Sequence, residues 1–276
     1  MKKKTRQGIP RRVKHVRIMG VLNVTPDSFS DGGVYLNAEN AVRRAMEMAA
    51  CGADILDIGG ESSRPGAQSV TVEEELDRVI PVIKAIKGSL NISISVDTCK
   101  SAVAREALKA GAELINDITA LKSDSEMASV VANAGAGVVL MHMKGTPRMM
   151  QNFPRYDDVI EEIIEHLESS IAIAVGAGID FEKIIIDPGI GFGKTLEHNL
   201  EILRRLGEFK RLGRPVLVGT SKKSFIGELT NREVGGRLFG TAASVAAAVL
   251  NGADIVRVHD VSEMRDVVRV AEAIKG

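Results

Sequence analysis

The chain has 276 residues, of which 45% are hydrophobic and 26% are charged. This hydrophobic fraction is enough for a sizeable core and excludes an intrinsically disordered chain. Lysine plus arginine and aspartate plus glutamate number 36 each, and no apolar run is long enough to span a bilayer, so we expect neither a nucleic-acid nor a membrane partner.

The N-terminal segment and the cysteines suggest where the chain works. Residues 1–14 are basic and lack the apolar stretch of a signal peptide, which predicts a solvated tail before one domain over residues 15–276. Cys51 and Cys99 have the spacing of neither a metal site nor a disulfide framework, which favours a reducing compartment. We therefore expect a cytoplasmic protein.

One junction recurs along the chain: a helical stretch ends in glycine and a short apolar run follows. It occurs at Gly52, Gly111, Gly135 and Gly252. Glycine suits the left-handed residue that ends a helix, and an apolar run of about four to six residues suits a strand buried on both faces. The strands predicted in this way lie near residues 16–22, 53–58, 92–97, 113–117, 137–142, 183–187, 215–219 and 254–259.

Helices are predicted between and after these strands. Apolar residues recur at helical spacing, and Thr71 and Glu74 form a capping-box pattern. The helices lie near residues 38–51, 71–87, 100–110, 124–134, 157–177, 196–207, 222–250 with a break near Gly235, and 262–275. Strict alternation of strand and helix predicts an α/β fold with a parallel sheet. Eight repeats favour a single-domain (β/α)8 TIM barrel with long loops after strands 1 and 2, and an open doubly wound sheet is the alternative.

Polar residues accumulate at the carboxyl ends of the predicted strands, where (β/α)8 barrels hold their functional side chains. They are Asn23, Asp57, Asp97, Asn116, Asp117, Asp187, Arg257 and His259. Residues two apart on a strand point the same way, so Asp97 should face the barrel interior, and Arg257 and His259 should share a face. Helix capping or a structural ion pair explains Asp117, Asp124 and Asp260 equally well.

The loops after strands 1, 2 and 7 are rich in glycine and serine. VTPDSFSDGGVYLN suits a mobile lid, and GGESSRPG follows strand 2. In GTSKKSFIG, Ser221 or its neighbours should begin a helix whose N–H groups can bind an anion. Together with Arg257 and His259, these loops predict an anionic ligand.

Other motifs are rejected or given structural explanations. DPGIGFGKT ends in Gly-Lys-Thr, but Pro188 stands where a P-loop needs glycine, which excludes an ATPase. The five histidines are too far apart for a zinc helix. His142 follows Met141 and so has the opposite strand parity, which favours a structural histidine. Cys99, although near Asp97, is interpreted as a small buried thiol.

In order and spacing, GVLNVTPDSFSDGG, GGESSRPG, SVDT, NDI, DPGIGFGKT, SKKSFIG and RVHD resemble the dihydropteroate synthase family along nearly the whole chain. The resemblance implies a transferase of folate biosynthesis, and a sulfonamide target. It implies catalytic roles for Asp97, Asp187 and Lys223, and a pterin pocket formed by Asp97, Asn116, Met141, Asp187, Phe192 and Lys223.

The same resemblance implies the other ligand sites. Pyrophosphate would be held by Asn23, Ser63, Arg257 and His259, with Asn23 as the ligand of a Mg2+ ion. The p-aminobenzoate site and its covering loops would comprise Thr25, Asp27, Phe29, Asp31, Ser62, Arg64, Pro65 and Ser224. A homodimer through the late helices is also implied. One departure is Ser63, where the family commonly has threonine.

Two other functions share parts of this pattern. Corrinoid methyltransferases that use methyltetrahydrofolate have a similar barrel and pterin pocket, but no use for a pyrophosphate lid. A non-catalytic pterin-binding barrel would usually have lost its pyrophosphate residues. The intact TPDSFSDGG and RVH motifs favour the synthase over both.

Overall fold

Short apolar runs form eight parallel strands within the residues that the structure, a computed structural model, describes: 15–25, 34–62, 69–146, 150 and 154–276. The strands are β1 (Arg17–Asn23), β2 (Ile55–Gly59), β3 (Ser93–Asp97), β4 (Leu114–Asp117), β5 (Gly137–Met141), β6 (Ile184–Asp187), β7 (Leu217–Val218) and β8 (Ile255–Val258). Every predicted strand is present, and no bound differs from the predicted one by more than two residues. The predicted tail, residues 1–14, lies outside the described residues.

The sheet closes on itself. Its strands pair in the order β6, β5, β4, β3, β2, β1, β8, β7, and each named pair is parallel. An isolated parallel bridge between Ile186 and Val216 joins β6 to the start of β7 and completes the ring. The predicted (β/α)8 barrel is therefore confirmed and the open doubly wound sheet is excluded.

Helices alternate with the strands around the ring. They are α1 (Val34–Ala50), α2 (Val72–Ser89), α3 (Ser101–Ala110), α4 (Met127–Asn133), α5 (Val159–Gly176), α6 (Leu196–Arg204), α7 (Ser224–Thr230), α8 (Leu238–Leu250) and α9 (Val261–Lys275). The capping box of Thr71 and Glu74 is formed at the start of α2. The predicted break near Gly235 is confirmed as a short 3-10 turn, Val234–Gly236, between α7 and α8. No helix in the described part of the chain is long and apolar enough to cross a membrane.

Alternate strand residues enter two separate cores. The larger core contains residues of strands and helices together, including Ile94 and Val96 of β3, and so lies between the barrel wall and the helices. The smaller core contains strand residues alone and fills the barrel interior: Met19, Ile55, Leu114, Val139, Ile185, Leu217 and Ile255. Because Ile94 and Val96 face the helices, Asp97 faces the interior, as its parity predicts.

Candidate active site

A polar layer lies directly above the apolar interior layer, towards the carboxyl ends of the strands. Five of its members follow an interior apolar residue by two positions on the same strand, and therefore point the same way. They are Asp57, Asn116, Met141, Asp187 and Arg257. Asp97 joins them from β3, where it is in register with Asn116 of β4. The barrel thus brings together the carboxylates, the amide and the guanidinium that the sequence places at separate strand ends.

Arg257 links three strands across this layer. Its Nε donates to Asp57 at 2.6 Å and its Nη2 to Asp97 at 2.7 Å. Asn116 Nδ2 also donates to Asp57, at 3.1 Å. Asp57 is fully buried, and its Oδ1 has no hydrogen-bond partner among the described residues. Asp57 therefore holds Arg257 and Asn116 in place and supports Asp97 only through the guanidinium, which parity alone did not predict.

The opposite side of the pocket combines Asp187, Lys223 and an apolar wall. Asp187 Oδ1 accepts from the backbone N–H of Gly189 at 2.7 Å. Lys223 Nζ lies 4.0 Å from the centroid of the Phe192 ring, a cation–π distance. The wall is a buried cluster of Ile118, Met141, Met150 and Phe192. A flat ring can therefore pack on this wall while carboxylates and amines meet its edge.

Burial brings the pKa values of three ionisable groups of the pocket close to neutral pH. It raises the pKa of Asp97 to about 7, although Arg257 opposes the shift. It also raises the pKa of Asp187 to about 6, and the Gly189 N–H and Lys223 oppose that shift. Burial and the charge of Arg257 lower the pKa of Lys223 to about 8. A ligand that donates N–H groups to these carboxylates will favour their ionised form. Several pKa values shifted within one pocket are typical of a functional site.

Asn23 and His259 lie at the rim, at the end of β1 and directly after β8. Ser221 Oγ accepts from the backbone N–H of His259 at 3.3 Å and is 2.9 Å from its Nδ1. We assign the Ser221 hydroxyl as the donor and His259 Nδ1 as the acceptor of this bond. In that tautomer the ring proton of His259 is on Nε2. The helix after β7 begins at Ser224 with Lys223 as its N-cap, and not at Ser221, because Lys222 has a left-handed backbone with φ 59°.

A cavity of about 390 Å³ adjoins this rim and has mixed charge. Its lining includes Asn23, His259, Lys222, Arg43 and Arg44, with Glu47 and Asp260 as the acidic members. Both acids pair with neighbouring cations: Arg44 with Glu47 at 3.1 Å and Lys222 with Asp260 at 2.9 Å. The surroundings of the rim can therefore accept an anion.

Several predicted loop residues fall outside the described ranges. These are Asp27, Phe29 and Asp31 on the first loop and Ser63, Arg64 and Pro65 on the second. Thr25 and Ser62 are the last described residues before each of these stretches, and Ser224 is exposed at the start of α7. Their roles stay predictions.

The structural explanations for three other aspartates are confirmed. Asp117 accepts from the backbone N–H groups of Thr119 and Leu121, each at 2.8 Å, and so shapes its own loop. Asp124 accepts from the first N–H of α3 at 2.8 Å, and Asp260 forms the ion pair with Lys222.

His142 and Cys99 also have structural surroundings. His142 Nδ1 lies 2.9 Å from Lys194 Nζ, so the histidine is structural as predicted. Cys99 is partly exposed and packs on the apolar wall, and burial and Asp117 raise the pKa of its thiol.

Sequence reasoning missed several contributors. Strand parity already indicated Asp57 as a support for Asp97, but it could not reveal that the support runs through Arg257. Ile118 and Met150 follow their strands in irregular segments, where no periodic signal exists. The role of Ser221 in orienting His259 depends on a contact between residues 38 positions apart.

The fold and the pocket define a (β/α)8 barrel whose mouth combines carboxylates, an amine and a guanidinium with an apolar wall. The family model described as pterin binding enzyme matches residues 19–259. The dihydropteroate synthase of Escherichia coli K12 is 49% identical over 267 residues, which are 97% of this chain and 94% of that protein.

Two solved structures show the same likeness. One is a dihydropteroate synthase from Clostridium difficile in the presence of pteroic acid, with a TM-score of 0.90, 49% identity and coverage of 95% and 97% of the two chains. The other is a Yersinia pestis dihydropteroate synthase in a sulfonamide drug complex, with a TM-score of 0.91, 44% identity and coverage of 99% and 98%. The chain belongs to the pterin binding enzymes and, within them, to the dihydropteroate synthase family, a family of transferases.

Proposed function

We propose that this chain joins 6-hydroxymethyl-7,8-dihydropterin pyrophosphate to p-aminobenzoate in folate biosynthesis, releasing 7,8-dihydropteroate and pyrophosphate. The observation that carries this proposal is the convergence of Asp97, Asn116, Asp187 and Lys223 beside an apolar wall in the barrel mouth. The relative from Clostridium difficile supports it, because pteroic acid joins a pterin to p-aminobenzoate.

The pterin is proposed to bind with its edge towards the interior layer. Its N–H groups would donate to Asp97 and Asp187, and Asn116 and Lys223 would meet its carbonyl and ring nitrogens. Charge-assisted hydrogen bonds of this kind contribute about 1.5–3 kcal/mol each. Met141 and Phe192 would pack on the face of the ring.

Pyrophosphate is proposed to bind at the rim, where His259 would donate from Nε2, and Asn23 and Ser63 would contact the phosphate oxygens. Arg257 would contribute from the pterin side. Its present bonds to Asp57 and Asp97 mean that pyrophosphate would have to compete for the guanidinium.

A Mg2+ ion fits the donor chemistry of this rim. Among the described residues there is no group of three or more His, Cys, Asp or Glu that could hold a metal by itself. The Asn23 amide offers one hard oxygen, which suits an ion that keeps waters and takes most of its ligands from a diphosphate. Bound there, Mg2+ would neutralise charge on the leaving pyrophosphate.

The chemistry needs no strong general base. The aromatic amine of p-aminobenzoate is neutral near pH 7 and can attack the exocyclic methylene carbon as the bond from that carbon to the pyrophosphate oxygen breaks. The arylammonium that forms is acidic and loses its proton to water, so pyrophosphate leaves with the electron pair of the broken C–O bond. If that bond breaks first, the charges of Asp97 and Asp187 would stabilise the cationic pterin. The p-aminobenzoate would lie between the loops of Thr25, Asp27, Phe29, Asp31, Ser62, Ser63, Arg64 and Pro65, with its carboxylate near Lys223 and Ser224.

Pyrophosphate release tests this proposal. Purified protein is mixed with Mg2+, dihydropterin pyrophosphate and p-aminobenzoate, alongside Asp97→Asn and the exposed control Asp77→Asn. We expect release that requires p-aminobenzoate, is largely lost in Asp97→Asn and is unchanged in Asp77→Asn. Pterin binding without release would instead favour a methyltransferase or a non-catalytic barrel.

Assembly and location belong to the same proposal. We expect a homodimer through the late helices, because Phe239 of α8 and Val270 and Ile274 of α9 are 86%, 60% and 70% exposed. Light scattering should give a dimer for the wild type and a monomer for Phe239→Asp. We also expect a cytoplasmic protein that sulfonamides inhibit in competition with p-aminobenzoate.

A further inference from the structure

A buried lysine that the proposed chemistry does not use lies under the loop after β6. Lys194 is only 3% exposed. Its ammonium lies 2.9 Å from His142 Nδ1, 3.0 Å from the carbonyl oxygen of Phe192 and 3.4 Å from that of His142. Lys194 therefore joins the loop after β6, which carries Phe192, to the segment that follows β5.

The loop and this segment are packed backbone to backbone. Gly189 and Gly193 have φ of +71° and +64°, and a Cβ on either would overlap a carbonyl oxygen, of His142 and Lys144 respectively. Tyr156 Oη donates to the carbonyl of Gly193 at 2.8 Å. The two strand extensions can approach this closely only where side chains are absent, and Lys194 adds side-chain hydrogen bonds between them.

The charges around Lys194 explain why this contact is specific. Burial lowers its pKa to about 7, although Asp187 opposes the shift. Burial and the neighbouring Lys194 charge lower the pKa of His142, so the imidazole is neutral and its Nδ1 accepts from the amine. A buried amine is costly unless its hydrogen bonds are satisfied, and here the acceptors are those of the two segments that it joins.

The two segments that Lys194 joins also carry residues of the proposed pterin pocket. Phe192, whose carbonyl accepts from Lys194, contributes its ring to the apolar wall and lies under Lys223 Nζ. His142 follows Met141, another member of that wall, and the backbone N–H of His142 donates to the Asp187 carbonyl at 2.9 Å. A shift of either segment would move the wall relative to the carboxylates.

We propose that Lys194 is a positioning residue for the pterin: by tying Phe192 to His142, its amine fixes the apolar wall against Asp187 and Lys223. This inference rests on the pterin binding in the proposed function, and not on the release of pyrophosphate. It assigns to Lys194 an effect on pterin binding and none on p-aminobenzoate.

The first test removes the amine with Lys194→Met, a side chain of similar length. Calorimetry with 6-hydroxymethylpterin should show a Kd about tenfold higher, which corresponds to about 1.4 kcal/mol. In turnover, KM for dihydropterin pyrophosphate should rise by a similar factor, while KM for p-aminobenzoate changes less than about twofold. Lys194→Gln, which keeps a donor, should recover most of the pterin affinity.

A stability control separates positioning from general loosening. Val131→Ala truncates a buried residue of α4 and should lower the melting temperature without changing the Kd for 6-hydroxymethylpterin. Unchanged pterin affinity in Lys194→Met, equal loss for pterin and p-aminobenzoate, or no recovery in Lys194→Gln would each overturn the proposal.

Two further measurements separate failure of the Lys194 inference from misfolding of the variant and from failure of the proposed function. If Lys194→Met does not fold, His142→Leu removes one acceptor of the amine and should still raise the Kd about threefold, whereas an unchanged Kd would contradict the proposal. Because calorimetry needs no turnover, wild-type protein that binds 6-hydroxymethylpterin but releases no pyrophosphate would reject the proposed function and leave the Lys194 inference standing.

Discussion

Two consecutive layers of the barrel interior use the same strands for opposite purposes. The lower layer is apolar, and includes Leu217 and Ile255, both fully buried. Two residues further along four of these strands, the upper layer contains the carboxylates of Asp57 and Asp187, the amide of Asn116 and the guanidinium of Arg257. Both layers are buried, but only the lower one gains free energy simply by leaving water.

The difference shows in the ionisation of the upper layer. Burial raises the pKa of Asp97 and Asp187 and lowers that of Lys223, so each charge is disfavoured where it stands. Arg257 compensates for part of this cost through its bonds to Asp57 and Asp97. The lower layer therefore stabilises the barrel, and the upper layer holds groups that a ligand would satisfy better than the protein does.

The largest expected effect comes from neutralising the upper layer at Asp97. Asp97→Asn should lower kcat/KM for dihydropterin pyrophosphate by about 10²–10³, because it removes a preorganised charge from the reacting ring. Steady-state kinetics measures this, with Ser95→Ala, one interior position lower on β3, as the control. A loss of less than about threefold, or an equal loss in Ser95→Ala, would contradict the contrast between the layers.

Truncation in the lower layer should lower stability and leave substrate binding nearly unchanged. Leu217→Ala should lower the free energy of unfolding by about 2–5 kcal/mol through lost burial and a residual cavity. Both KM values should change less than about twofold. Urea unfolding and kinetics together test this, and a large change in KM with unchanged stability would show that the lower layer also shapes the pocket.

Asp57 tests the link between Arg257 and the pocket. In Asp57→Asn the guanidinium loses one charged partner but keeps Asp97, so its position should shift. We expect kcat/KM for dihydropterin pyrophosphate to fall about tenfold, within the range for one hydrogen bond to a charged group. Loss of Asn116 as the partner of Asp57 would be the competing cause. Because Asn116→Ala also removes a proposed pterin contact, the double variant is compared with both single variants, and additive losses would assign the effect of Asp57→Asn to Arg257.

The smallest expected effect is a pH dependence. Because the carboxylates must be ionised to accept pterin N–H groups, kcat/KM for the pterin substrate should fall as pH drops below about 7, the pKa of Asp97, and again below about 6, that of Asp187. In Asp97→Asn the limb near pH 7 should disappear.

The stability of the unliganded protein should decrease as pH rises, whereas kcat/KM should increase. The raised pKa means that folded Asp97 holds its proton more tightly than the unfolded chain does. Its contribution to stability is therefore fully present below its ordinary pKa of 3.8 and is lost as pH rises through about 7. Chemical unfolding at pH 5 and pH 8 should show a larger loss of stability in the wild type than in Asp97→Asn, where the raised pKa of Asp187 still contributes.

Much of the barrel and part of the pocket could be predicted from the sequence. Helical and strand periodicity located all eight strands, and parity placed Asp97 on the inner face, because both signals depend on neighbours a few residues apart. The family resemblance added the roles of residues such as Lys223, which no periodic pattern could assign. The predicted helix bounds differed most at the start of α1, which begins at Val34 and not near residue 38. After β7 the helix begins at Ser224, two residues later than predicted, because Lys222 has a left-handed backbone.

By itself, the sequence determined the order of strands and helices, the family, and which strand residues share a face. Only the tertiary structure decided which distant residues meet: closure through Ile186 and Val216, the bonds of Arg257 to Asp57 and Asp97, and the burial of Lys194 beside His142. The physical reason is that period and parity are properties of neighbouring residues. Partners across a barrel depend instead on how its strands close and on which buried charges then compete for the same hydrogen bonds.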